Sequence, residues 1–284
     1  MNNRILTSLF LLCALMVSTS SCAQIKASKN YVTKDVKVGN FNKIESLCST
    51  TVTYIQSTDG STKVQVYGSD NLVDLLDISV SKGSLIVKLK KNARISWKDG
   101  RLKVIASSPS LEAALLQGSG DINLESDINC NNFSMLLQGS GDINAKNIKS
   151  ANNVDARLQG SGDIEVKGGI QAQNVALNLQ GSGDLKVVNV TANDVKAQLH
   201  GSGDLKINGT TGTATLSLQA SGDLDAKNLQ AVDVTATLNG SGDLNCYATG
   251  TLKVGVNGSG DIGYKGNPSK VELIGGRTRN IRKL

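Results

Sequence analysis

Residues 159–164 read Gln-Gly-Ser-Gly-Asp-Ile, and close variants of that hexapeptide occupy 117–122, 138–143, 180–185, 200–205, 219–224, 239–244 and 257–262. Its aspartates are Asp121, Asp142, Asp163, Asp184, Asp204, Asp223, Asp243 and Asp261, separated by 21, 21, 21, 20, 19, 20 and 18 residues. A period near 20 held over eight copies is the mark of a solenoid. Upstream of each motif the apolar residues alternate, as in Val154, Ala156, Leu158 and Val195, Ala197, Leu199. Downstream they alternate again, as in Ile164, Val166 and Leu205, Ile207. A period of two means strands with one buried face, and the lack of helical spacing excludes leucine-rich and helical-repeat solenoids. Each repeat should therefore hold two short strands, one turn at GSGD and a second at the Asn-rich stretch (Asn152-Asn153, or Thr191-Ala192-Asn193). About 20 residues then close one coil of an all-β, single-domain parallel β-helix or flattened β-solenoid, and eight coils stacked at ~4.8 Å extend about 38 Å.

Glycine supports this reading, because fifteen of the 30 glycines lie in the eight motif corners, seven Gly-Ser-Gly and one Ala-Ser-Gly. The second motif glycine (Gly162, for instance) is present in every copy, whereas Ala220 replaces the first in the sixth. The second glycine is expected to hold a left-handed backbone position and the first to keep a corner small, since only glycine adopts positive φ without cost. The aspartates pose the functional question. Stacked carboxylates repel by roughly 1 kcal/mol per neighbouring pair in water. They must splay into solvent, accept hydrogen bonds from their own turn amides, or share cations. Calcium-binding GGxGxD repeats have a period of nine and an extra residue between Gly and Asp, so they do not match. These eight aspartates are a candidate ligand or cation ladder, and their likeness to one another argues against catalysis, which needs carboxylates in unlike environments.

Composition narrows the function. Aromatic residues make up only 3%, so the core must be built from Val, Leu, Ile and Ala. A single histidine, His200, disfavours a His-based zinc site or a Ser-His-Asp triad. The formal charge of +6 is spread along the chain without the basic stripe and interleaved aromatics of a nucleic-acid binder. Its one local concentration is the tail Arg277, Arg279, Arg282, Lys283. Cys48, Cys130 and Cys246 follow no metal-ligand spacing and cannot all pair with one another. No cofactor is expected.

Residues 1–21 read as an export signal: Arg4, then the apolar run Ile5 to Val17, then small residues. The run is too short to span a bilayer. Cys22 after Ser21 resembles a loosened lipoprotein signal with Thr19 where Leu is usual, and the alternative is ordinary cleavage after Ala23. Residues 22–36 form a linker, and 37–284 the solenoid, with repeats over 115–265 and a C-terminal cap over 266–284. Less regular alternation over 25–116, including Val52, Tyr54 and Leu85, Val87, Leu89, predicts strands closing the N-terminal end. Trp97 is a capping aromatic or a sugar-stacking platform. Leu273-Ile274-Gly275-Gly276-Arg277 stands where a ninth motif would fall.

The eight GSGD turns resemble the auto-transporter adhesin head GIN domain family of bacterial secreted proteins and lipoproteins. Phe41-x-x-Ile44, Ser108-Pro109-x-Leu111 and Gly275-Gly276 resemble it too. The resemblance covers roughly 37–284. It implies a two-sheet β-superhelix with GSG at the turn between sheets, a role in cell adhesion and no catalytic residues. It also implies a trimer, although the chain has no coiled-coil heptads to enforce one.

The resulting expectation is a non-enzymatic envelope protein, lipid-anchored at Cys22 in the outer membrane or else secreted, with a rigid face that binds a polysaccharide or protein surface. Ladders of Gln117, Gln138, Gln159 and Gln180, of Ser and of Asp would supply repeated weak contacts. One competing reading is an inert structural element. Another is a polysaccharide lyase or hydrolase, whose only candidate cleft is 90–105 with Lys90, Lys91, Arg94, Lys98, Asp99, Arg101 and Lys103.

Overall fold

A computed structural model describes residues 25–90, 95–96, 101–276 and 280–284. The export segment, Cys22, Trp97, Lys91, Arg94, Lys98, Asp99, Arg277 and Arg279 lie outside them. The chain forms a β-solenoid with coils of about 20 residues. Every alternating apolar position named above in the repeats is buried, so each coil donates Val, Ala or Leu triplets from one face and Leu, Ile or Val pairs from the other. Pairing between successive coils is parallel throughout the repeats.

Two expectations about the coil need correction. The Asn-rich bend breaks the strand in some coils, as between Ile164–Gln171 and Asn174–Leu179, but Ile143–Leu158, Leu185–Leu199, Leu205–Leu218 and Leu224–Leu238 each run unbroken through it. Its backbone groups keep pairing with adjacent coils, as Asn153 with Asn174 and Thr191 with Thr210, which satisfies them without a separate turn. A buried hydroxyl helps shape the bend in two coils. Ser150 Oγ lies 2.9 and 3.0 Å from the carbonyl oxygens of Asn131 and Asn153, and Thr211 Oγ1 lies 3.1 and 3.0 Å from those of Asn193 and Thr213. The differing coil lengths are absorbed just before this bend. Register shifts fall between Val166 and Ile170, between Val187 and Val190, and between Lys206 and Asn208. The faces either side keep strict register, as burial on one side of a strand demands.

The second correction concerns the motif glycines. None of them lies in the left-handed region, which is occupied elsewhere, for instance by Gly60 and Gly83 at φ 77° and 79°. Both motif glycines are required by close approach instead. A Cβ on Gly160 would overlap the carbonyl oxygen of Gly139, and one on Gly162 that of Gly141, and the same holds from corner to corner. Glycine thus lets backbone stack directly on backbone. Serine N–H groups at Ser140, Ser161, Ser182, Ser202, Ser241 and Ser259 donate to the first corner residue of the preceding coil at 3.0 to 3.2 Å. Among the described residues Ser221 lacks this bond to Gly201. Its neighbour Ala220 is the one copy with a Cβ in the first position.

The two ends differ. Phe41 and Ile44 are buried, and the strands Lys43–Ser46 and Thr51–Gln56 form a coil against which Ala113–Leu116 and Ile122–Leu124 stack in parallel. Leu47-Cys48-Ser49-Thr50 takes the place of the glycine corner. The later segments Ser84–Leu89 and Leu102–Ser108 stack on the other side of that coil, so the chain order is not the stacking order. Antiparallel pairing by Lys63–Ser69 and Leu76–Ser81 covers this end. At the C-terminal end Lys270–Gly276 and Ile281–Lys283 add the last coil, pairing parallel with Thr251–Val256 and Ile262–Lys265. Gly276 pairs with Val256 and Ile281 with Ile262. Asn280, rather than Arg277, therefore stands in the aspartate column, and Gly275-Gly276 ends a strand instead of forming a ninth corner. Val271, Leu273 and Ile274 are about half exposed, at 46, 56 and 50%.

Candidate functional site

The aspartate column lies at the GSGD corner. Each carboxylate accepts the backbone N–H of the aspartate one coil onward, not an amide of its own turn. The series runs from Asp142 N–H to Asp121 Oδ1 through to Asp261 N–H to Asp243 Oδ1, at 2.7 to 3.2 Å. Asn280 closes it, donating from Nδ2 to Asp261 Oδ1 at 3.1 Å and to the Gly260 carbonyl at 2.9 Å. A hydrogen bond to a charged group contributes roughly 1.5–3 kcal/mol. That exceeds the roughly 1 kcal/mol of repulsion between adjacent carboxylates in water. The column can therefore stand without bridging cations. Among the described residues no three His, Cys, Asp or Glu side chains gather as a metal-ligand group.

The glutamine column beside it is likewise bonded along its own length. Gln117 Nε2 donates to Gln138 Oε1 at 2.7 Å, Gln138 to Gln159 at 2.8 Å and Gln159 to Gln180 at 3.3 Å. His200 interrupts the series, and Asn257 resumes it by donating to Asn239 at 3.0 Å. Corner side chains thus spend much of their bonding capacity on neighbouring coils.

Sequence reasoning did not identify a second surface. A shallow groove runs along the solenoid on the outer side of the strands that precede the motif. Three overlapping stretches of it enclose about 480, 470 and 390 Å³. The first and second share Asn153 and Asp155, and the second and third share Thr213 and Thr215, so the groove is continuous. Two stacked columns line it. One runs Asn132, Asn153, Asn174, Asp194, Thr213, continuing to Asp233, Thr251 and Lys270. The other runs Ser134, Asp155, Ala176, Lys196, Thr215, Thr235, Lys253 and Glu272. The signal was present in sequence as the outward residues either side of the first buried apolar position, as in Asn153-Val154-Asp155 and Asp194-Val195-Lys196.

Charges in the groove offset one another locally. Arg157 grips Asp155 with two bonds of 2.7 and 2.9 Å, which pushes the guanidinium pKa further up. Lys270, bonded to Glu272, holds that carboxyl below its ordinary value. Asn174 and Asn153 each donate one coil back, at 2.9 and 3.0 Å. Phe133, the aromatic residue along the groove, is buried. Of the 90–105 candidate cleft, Ile95–Ser96 pair in parallel with Ile25–Lys26, Lys103 lies in the strand Leu102–Ser108, and Lys90 and Arg101 serve the end coil through their backbones; its remaining charged residues lie outside the described ones.

A family model described as "Putative auto-transporter adhesin, head GIN domain" matches residues 40–177 and again 152–268. The chain belongs to this family. No curated protein matches it. Several solved structures share the fold. A "Putative lipid binding protein" from Parabacteroides distasonis is 23% identical with TM-score 0.68, over 92% of this chain and 100% of that one. A "putative adhesin" from Parabacteroides merdae is 16% identical with TM-score 0.68, over 92% and 99%. Another from P. distasonis is 22% identical with TM-score 0.64, over 92% and 100%. At these identities the likeness shows the fold alone. Among the described residues of this head GIN domain protein, no helix is long and apolar enough to cross a membrane.

Proposed function

We propose that this protein is exported, held at the outer membrane by a lipid on Cys22, and acts without catalysis as an adhesin-type binder of extended polymers or of another surface. The observation that carries this reading is the continuous groove, which presents outward, mostly polar side chains coil after coil. Such a surface gains strength by multiplying weak contacts, as binding to a polymer requires. The aspartate ladder is read as structural, since its carboxylates bond to the next coil's amides. Family membership supports the adhesin class. A trimer joined through solenoid faces or ends would multiply the contacts further.

The test incubates the mature chain with acidic and neutral polysaccharides and with matrix proteins, with and without calcium, following retention and cleavage together. Retention without cleavage and without calcium dependence is expected. Cleavage would replace the reading with a lyase or hydrolase, and a lack of both would leave a structural envelope element. Radioactive fatty acid should label the wild type and not Cys22→Ala; an unlabelled wild type removes the anchor.

A further inference from the structure

We infer that the groove takes a linear, uncharged polysaccharide lying along the solenoid axis, an inference that rests on the binding role proposed above. Charge is the first reason. Four lysines (Lys43, Lys196, Lys253, Lys270) share the groove with five carboxylates, and the two signs are interspersed without forming a basic stripe. A polyanion needs an excess of positive charge to gain counterion release or steering, and this lining offers none.

The second reason separates a glycan from a peptide. An extended peptide is captured by adding a strand to an open sheet edge, where main-chain hydrogen bonds give affinity. Here the groove crosses the strands at right angles, and their N–H and C=O groups are spent on the coils above and below. Recognition therefore falls to side chains, among them the amides of Asn153 and Asn174, each with a further donor and acceptor site beyond its ladder bonds, and the hydroxyls of Thr215, Thr235 and Thr251. These combine donors and acceptors at one-coil intervals, which suits the hydroxyls of successive sugars.

The third reason sets the binding mode. Sugars often gain affinity by lying on an aromatic face, and the groove presents no exposed ring among its lining residues. Each net hydrogen bond contributes only about 0.5–1.5 kcal/mol. A short oligosaccharide spanning one or two coils therefore binds feebly, and affinity climbs as the chain covers more coils.

The test is calorimetric titration of the mature protein with dextran, xylan and glucomannan, with graded oligosaccharides cut from whichever binds, and with polygalacturonate as the acidic counterpart, each at low and high salt. The inference expects one or more neutral polymers to bind, tenfold or greater tightening with length, and little effect of salt. Two variants probe the site. Asn153→Ala with Asn174→Ala removes two groove amides, and Ala176→Arg adds bulk between the columns while removing no native hydrogen bond. Both should weaken binding at least about tenfold; Ala176→Arg should do so with the melting temperature preserved, and the asparagine pair with a small drop, since it also removes the bonds that join Asn132, Asn153 and Asn174. Preferential, salt-sensitive binding of polygalacturonate overturns the inference, as does neutral-polymer binding that neither variant alters. Retention on cells or matrix proteins with no binding of any neutral polymer refutes the glycan and leaves the adhesin role standing. Binding to nothing refutes both.

Discussion

Gly160 and Gly162 occupy corners where the backbone of one coil rests on that of the next, so a methyl group enters only if the corner shifts, as at Ala220, where the Ser221 bond to the preceding coil is missing. Overpacking of this kind costs roughly 1–3 kcal/mol. Gly160→Ala and Gly162→Ala should therefore lower stability by similar amounts in denaturant titrations, where a left-handed second glycine would have made Gly162→Ala much the worse. Positive φ cannot be read from a glycine's invariance along a repeat, because close approach demands the same residue. At Asp163 the carboxylate accepts the Asp184 N–H at 2.7 Å. Asp163→Ala loses that acceptor and should cost about 1–3 kcal/mol. Asp163→Asn keeps an acceptor while relieving repulsion, and should melt within a degree or two of wild type. Calcium should leave the melting temperature unchanged. Cys246 is buried, its thiol pushed up to about 12 by that burial, so it should resist alkylation until the chain unfolds.

Strands were legible because burial imposes a period of two whatever the neighbours are. Bends were not, since Asn152-Asn153 reads as a turn although its backbone groups stay paired with the coils beside them. Within the strands, position along the stack decides energetics. Leu216 is enclosed by coils on both sides, whereas Leu273 occupies the last coil and is 56% exposed. Leu216→Ala should cost about 2–5 kcal/mol, and Leu273→Ala well under half of that, measured by equilibrium unfolding. On the other face Lys186 bonds to Glu165 at 2.7 Å and, with Lys167 nearby, holds its carboxyl below the usual value. A depressed carboxyl pKa adds stability above the unfolded-state pKa, and that stability is lost as pH falls through the folded one. The pair is largely exposed, so the effect is under about 1 kcal/mol. The stability difference between wild type and Glu165→Gln should accordingly vanish at acid pH.

Across the whole molecule, stacking divides the surface into two kinds. Corner side chains bond along their own columns for most of the stack, whereas the groove does so mainly in its asparagine stretch and gives way to threonines and mixed charges toward the C-terminal end. The period of about 20 residues revealed the coil and hence the ladders. It could not reveal the groove, because concavity arises from how outward residues of many coils line up, and Asn153, Asp194 and Thr213 share no sequence identity. The reversed stacking order at the N-terminal end was hidden for a related reason: Lys43–Ser46 meets both Ser84–Leu89 and Ala113–Leu116 only in three dimensions. The division of labour between corner and groove is open to one comparison. Gln138→Ala with Gln159→Ala alters the corner, and Asn153→Ala with Asn174→Ala alters the groove. Retention of both double variants would be measured on the polymer that holds the unmodified chain. The corner variant should bind as wild type and the groove variant should be lost; a corner variant that fails to bind beside a groove variant that still does would contradict the account.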